Sequence, residues 1–146
     1  MAMLPTGVTI VSAAGPEGPA GATANAVCSL SIEPMLMLAC LDRGSRTLRS
    51  VQEAGRFGVD VLAADQEPIA RQFSTKADEP DKWEGVGWTE RDGIPAIDGS
   101  VLWVACELQD VLMGGDHVIL TGAVTDLEGR GGEPLIHHRG AYRGLG

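Results

Sequence analysis

Residues 101–127 read VLWVACELQDVLMGGDHVILTGAVTDL, and this stretch decides the fold. Two long runs rich in apolar and β-branched residues, Val101–Leu112 and His117–Leu127, flank Met113-Gly114-Gly115-Asp116. A glycine pair between such runs signals a hairpin, because tight hairpin turns need a residue with positive φ. The spacing therefore predicts two long antiparallel strands.

Working outward, the same punctuation recurs at short intervals. Phe57–Leu62 and Pro95–Ile97 read as strands, and a glycine-rich turn at 129–132 leads to Pro134–His138 and a tail, Arg139–Arg143. Upstream, Val8–Ala13 is a strand, followed by a turn at Gly15–Pro19. Residues 21–32 (GATANAVCSLSI) read as one strand whose small, polar first half packs poorly but leaves room for something flat. Met35–Leu41 is apolar on both faces, hence a central strand or one buried in a dimer. Two helices are predicted. Ser45–Ala54 has Ser45 as N-cap and Gly55 as its stop, and Gln66–Phe73 tolerates Pro68 in its first turn. Residues 74–92 read as a polar loop anchored by Trp83 and Trp88, its carboxylates Asp78, Glu79, Asp81 and Glu84 solvated. Short strands with few helices predict a mainly β, small antiparallel barrel, and the missing βα alternation disfavours a doubly wound fold.

Composition agrees. The 146 residues, 44% hydrophobic and 21% charged, fit a single globular domain over 1–146. Twenty glycines and eight prolines supply the turns. A net charge of −9 repels phosphate backbones, so nucleic acid is excluded as a partner and any phosphate must be held locally. The longest apolar run, Met35–Leu41, is far short of the ~20 residues a spanning helix needs, and Met1-Ala2-Met3-Leu4 carries no basic leader. Cys28, Cys40 and Cys106 form no CxxC pair, and read as free buried thiols in a reducing cytoplasm. His137 and His138 point to opposite faces of an extended chain, so no metal site is expected.

Three places can carry chemistry. At Leu41-Asp42-Arg43-Gly44-Ser45-Arg46-Thr47 a strand ends and a helix opens with two hydroxyls. Free N–H groups and the positive dipole end make such a start an anion site, with Ser45, Arg46 and Thr47 adding donors; the alternative is a capped helix with solvated arginines. Thr23, Asn25 and Ser29 share one face if extended, either as a polar row for a ligand or as an exposed sheet face. His117 follows the Gly-Gly-Asp turn and so sits at a loop tip or barrel mouth. No GxSxG is present, and no cysteine sits where its pKa would fall.

Taken in order, Leu4–Val11 (LPTGVTIV), Gly21–Ala26 (GATANA), Leu41–Thr47 (LDRGSRT), Gly55-Arg56-Phe57, Gly114–His117 (GGDH) and His138–Tyr142 (HRGAY) resemble the flavin reductase-like, FMN-binding split-barrel family. Its members include the reductase components of two-component flavin monooxygenases. The resemblance implies a Greek-key-like split-barrel homodimer with FMN or FAD near the subunit interface. It implies that Thr23, Ala24, Asn25, Ala26, Cys28 and Ser29 line the ring and ribityl chain. Backbone from Cys40, Leu41 and Asp42 would lie beside the flavin, and Ser45, Arg46 and Thr47 would take the phosphate. Asp116, His117, Arg139 and Tyr142 would face the nicotinamide, with His117 as the catalytic residue. The implied reaction is hydride transfer from C4 of NADH or NADPH to N5 of the flavin, chemistry that belongs to the cofactors. Reduced flavin would then diffuse to a separate monooxygenase, with no membrane involved. Relatives usually carry a helix before the Thr-Gly-Val strand, and here five residues precede Thr6. Two rival readings are a split-barrel protein holding flavin or haem without turnover and a sibling oxidase of another substrate.

Overall fold

The computed structural model describes residues 1–146 as twelve strands and three helices. The predicted hairpin is its spine. Strand β9 (Leu102–Gly114) pairs antiparallel with β10 (His117–Gly129). The turn is shorter than the sequence suggests: β9 runs through Gly114, and only Gly115-Asp116 separate the strands, with Gly115 at φ 71°. Around the hairpin lie β2 (Thr9–Gly15), β3 (Gly18–Ala24), β4 (Val27–Ser31), β5 (Leu36–Asp42) and β6 (Arg56–Val61). The seven strands order as β3-β2-β6-β9-β10-β5-β4, with antiparallel pairing throughout.

This sheet curls, so that Ala24 of β3 and Ala39 and Leu41 of β5 share one core cluster with Phe57, Val104, Cys106 and Leu120. β3 and β5 are not hydrogen-bonded neighbours, so the barrel is split on that side. Gly122 of β10 exists for this core: a Cβ there would stand 2.6 Å from the Phe57 ring and 2.6 Å from Cys106 Cβ. Phe57 is fully buried, and truncation to alanine at such a site costs about 3–5 kcal/mol.

Helix α1 (Arg46–Ala54) closes one end of the barrel with Leu48 and Val51, and it keeps its expected caps. Ser45 Oγ accepts from Leu48 N–H, and Gly55, at φ 70°, donates its N–H to Val51 O. A second cluster, Val8, Ile10, Leu62, Phe73, Trp83 and Leu135, lies outside the barrel beneath α2 (Glu67–Phe73). Beside it, the short β1 (Thr6–Gly7) pairs with β11 (Ile136–His138), which pairs with β12 (Ala141–Arg143). No helix is long and apolar enough to cross a membrane.

Four expectations need correction. Residues 21–32 are two strands, because the chain bends at Asn25-Ala26 between β3 and β4. The stretch 74–92 contains a helix, α3 (Glu79–Trp83), and a strand, β7 (Trp88–Arg91), paired with β8 (Ile94–Ile97). The tail beyond Pro134 is a hairpin turned by Arg139 and Gly140, both at positive φ. Glu79 is not a solvated carboxylate, since its side chain is 17% exposed against a buried Lys82.

Candidate functional site

The carboxyl end of β5 is where three separate segments meet. On one side Cys40 donates its N–H to Ala26 O at 2.9 Å. On the other, Asp42 pairs in register with His117, and Arg43 N–H reaches Asp116 O at 3.1 Å. Asp42 itself shapes the exit: its Oδ1 accepts Gly44 N–H and its carbonyl accepts Ser45 N–H. The result is an exposed ledge of Asn25, Ala26, Cys28, Asp42 and Asp116 beside the start of α1. Ala24 and Leu41 are buried, so only their backbone can serve this ledge.

At the helix start, Leu48 N–H is taken by Ser45, while the N–H groups of Arg46 and Thr47 precede any intrahelical acceptor. Thr47 is 1% exposed, and its Oγ1 has neither a partner nor solvent. A buried hydroxyl without a partner costs about 1–3 kcal/mol. It fits a site completed by an acceptor such as phosphate. Arg46 is engaged elsewhere: its guanidinium pairs with Asp78 at 2.9 Å and donates to the carbonyls of Lys76 and Ala77.

Thr23, Asn25 and Ser29 do not form one polar row. The bend after Ala24 breaks the strand alternation on which that reading rests. Thr23 Oγ1 donates to Ala70 O of α2 at 2.7 Å, Asn25 lies exposed at the bend, and Ser29 lines an apolar cleft of about 330 Å³ with Thr9, Cys28 and Met37.

His117 Nδ1 lies 2.8 Å from Asp116 Oδ1, a bond that holds the exposed Asp116 carboxyl below the usual carboxylate range. Arg139 and Tyr142 sit on the β11–β12 hairpin, apart from this cluster within one chain. Tyr142 lies under the Arg71 guanidinium at 5.1 Å and beside the His137 ring. The cysteines are free, but only Cys106 is buried. Burial pushes its thiol up to about 12, and burial followed by the neighbouring Cys28 raises Cys40.

A larger cleft, about 720 Å³, lies between α1, the β2–β3 turn and α3. Arg46 and Arg49 line it against Glu17, Glu53, Asp78 and Glu79, a net acidic set that disfavours a second phosphate there. Sequence reasoning missed Glu79 and Lys82, which grip Gly21 of β3, and Thr9, whose Oγ1 donates to Ala24 O at 2.6 Å. The signal was a Glu-x-x-Lys pair one helical turn apart, immediately before an anchoring tryptophan.

The small exposed ledge and the unsatisfied helix start suit a flat ring carrying a phosphate. The matches to known proteins agree. A probable flavin reductase of Rhizobium meliloti (strain 1021) is 40% identical over 139 residues, 94% of this chain. The chain spans only 44% of that protein's length. The reductase subunit HsaB of a flavin-dependent monooxygenase from Mycobacterium tuberculosis (strain CDC 1551 / Oshkosh) is 35% identical over 96% of this chain and 76% of its own. The NADH:FAD oxidoreductase SgcE6 of Streptomyces globisporus C-1027, solved with NAD and FAD fragments, superposes with a TM-score of 0.90 at 32% identity, covering 97% of this chain and 86% of that one. The flavin reductase like domain family matches residues 1–146 without a gap at either end, and with the split barrel and the ledge already in place, this chain belongs to that family.

Proposed function

We propose that the chain is an NAD(P)H-dependent flavin reductase, a single domain that supplies reduced FMN or FAD to a separate monooxygenase. The observation that carries this reading is the meeting of segments 25–26, 40–47 and 116–117 at the end of β5. When bound, the flavin supplies the hydride-accepting chemistry.

The protein's part is positioning. Ala24 to Ala26, Cys28 and Ser29 offer a small-residue surface for the ring and ribityl chain, with the backbone of Cys40 to Asp42 beside it. The first turn of α1, with Ser45, Arg46 and Thr47, would hold the phosphate. His117, oriented by Asp116, sits over the ledge on the nicotinamide side, where holding two rings at near-attack distance matters more than moving a proton. Arg139 and Tyr142, apart from this cluster within one chain, would reach that side only across the proposed dimer.

The functional unit is a homodimer. Support comes from the apolar side chains that one chain leaves open, Leu30 and Ile32 at the β4 edge and Val111, Leu112 and Met113 on β9. Three free thiols suit a reducing cytoplasm. NADH and NADPH oxidation assayed with and without added FMN or FAD tests the reading. Flavin-dependent oxidation supports it, and a protein that binds flavin without turnover is a binding module instead.

A further inference from the structure

Strand β3 is an edge of the seven-stranded sheet, and an edge strand presents unpaired N–H and C=O groups. At Gly21 both groups are met by side chains of α3. Gly21 N–H donates to Glu79 Oε2 at 3.0 Å, and Lys82 Nζ donates to Gly21 O at 3.0 Å. Lys82 Nζ also lies 3.6 Å from Glu79 Oε1, and the two side chains are 8% and 17% exposed. Two side chains thus do the work of a neighbouring strand. Gly21 is required for it: a Cβ there would come within 2.7 Å of Phe73 Cε1 and 3.0 Å of Trp83 Cζ2. The two helices therefore seat on bare backbone.

A buried ion pair is an expensive way to cover an edge, although apolar side chains would leave the Gly21 N–H and C=O unpaired. What the pair adds is a fixed position along the strand. From Gly21 the chain is pinned again at Thr23, by Oγ1 to Ala70 O, then at Ala24, by Thr9, and at Ala26, by Cys40 N–H. The same α3 is tied at its N-cap to the start of α1 through Arg46 and Asp78. We infer that Glu79 and Lys82 are positioning residues for the flavin site, holding the ring-side segment Thr23–Ala26 in register with the phosphate-side helix. This rests on the proposed function above.

The test removes the ion pair and the Lys82 bond to Gly21 O without leaving a lone buried charge. In Glu79→Gln/Lys82→Met, backbone amides at 21–26 should exchange faster while those of β9 and β10 keep their protection. Flavin KM should rise about tenfold, with kcat at saturating flavin and KM for NADH within about twofold of the unmodified protein. Should the double variant fail to fold, Glu79→Gln alone, which keeps an oxygen for Gly21, should show the same exchange pattern and a rise of about threefold. Unchanged exchange at 21–26, or an unchanged flavin KM in the folded variant, overturns the inference. Loosened amides in a chain whose unmodified form binds no flavin leave the clamp standing and remove the proposed function instead.

Discussion

At one end of the seven-stranded sheet, the edge strand β3 is covered by the chain's own α2 and α3, with its backbone groups met by buried side chains. At the other edge Leu30 of β4 and the following Ile32 reach the surface, and on the central β9 so do Val111, Leu112 and Met113, Met113 being 64% exposed. Composition already separates these ends: β3 reads GPAGATA, with no large apolar side chain, whereas the open one carries Leu, Ile, Val and Met. The difference is that one edge is finished within the chain, while the other leaves its apolar side chains open, to be covered in the proposed dimer. The ledge at the end of β5 lies at the seam between them.

The largest effect is expected where the open end is broken. Leu112→Asp places a carboxylate in the apolar contact of each subunit, and like charges set against each other cost several kcal/mol. Sedimentation or light scattering should give about twice 15.3 kDa for the unmodified chain and 15.3 kDa for the variant. Flavin reduction should fall more than about tenfold with it. A fully active monomer would remove the dimer from the account.

Between the two edges, the buried interior should show in pH dependence. Asp60 of β6 is fully buried, accepting from Ser100 Oγ and Ile97 N–H. Burial pushes its carboxyl up to about 7, against the opposing pull of those bonds and of Arg130. The folded state then holds a proton that the unfolded state has already released, so stability falls as pH rises from about 4 to about 7, by up to roughly 4 kcal/mol. Asp60→Asn should flatten that slope in denaturant titrations at about pH 5 and about pH 7.5. An unchanged slope would place the titrating group elsewhere.

At the seam, Arg46→Ala should weaken FMN by about 1.5–3 kcal/mol, the scale of a charge-assisted bond. Riboflavin, which lacks the phosphate, sharpens the reading. Equal losses for both ligands would mean that Arg46 works only through Asp78 and α3. The smallest change expected is in His117→Ala: flavin affinity within about twofold, and hydride transfer slowed about tenfold, or roughly 1.4 kcal/mol, with little dependence on pH. A collapse of flavin binding would make His117 a structural turn residue.

Much of this was legible in the sequence because the signals are local. Ser45 and Gly55 cap α1 as their types dictate, and the glycine pair at 114–115 marks the hairpin to within a residue. The break at Asn25 was not legible, because Gly-Ala-Thr-Ala carries no hydrophobic period to interrupt. Helix α3 was hidden by its five-residue length and by Lys82, a residue type that is almost never buried unless paired. Its partners, Glu79 and the backbone of Gly21, include one 61 residues away, and the Arg46–Asp78 tie spans 32. Contacts of that range leave no periodic trace. The candidate site was legible only as an ordered set of short motifs, since each of them alone also suits an ordinary strand end or helix cap.

The central claim is that this ledge holds a flavin for reduction by a dihydronicotinamide. Anaerobic rapid mixing of the protein and FMN or FAD with NADH or NADPH tests it most directly, by following loss of the oxidised-flavin absorbance. The account predicts bleaching with at least one of the four pairs, at a rate that saturates with the nicotinamide and is far above that of the same pair without protein. Flavin bound by the protein yet left oxidised by both nicotinamides would contradict it.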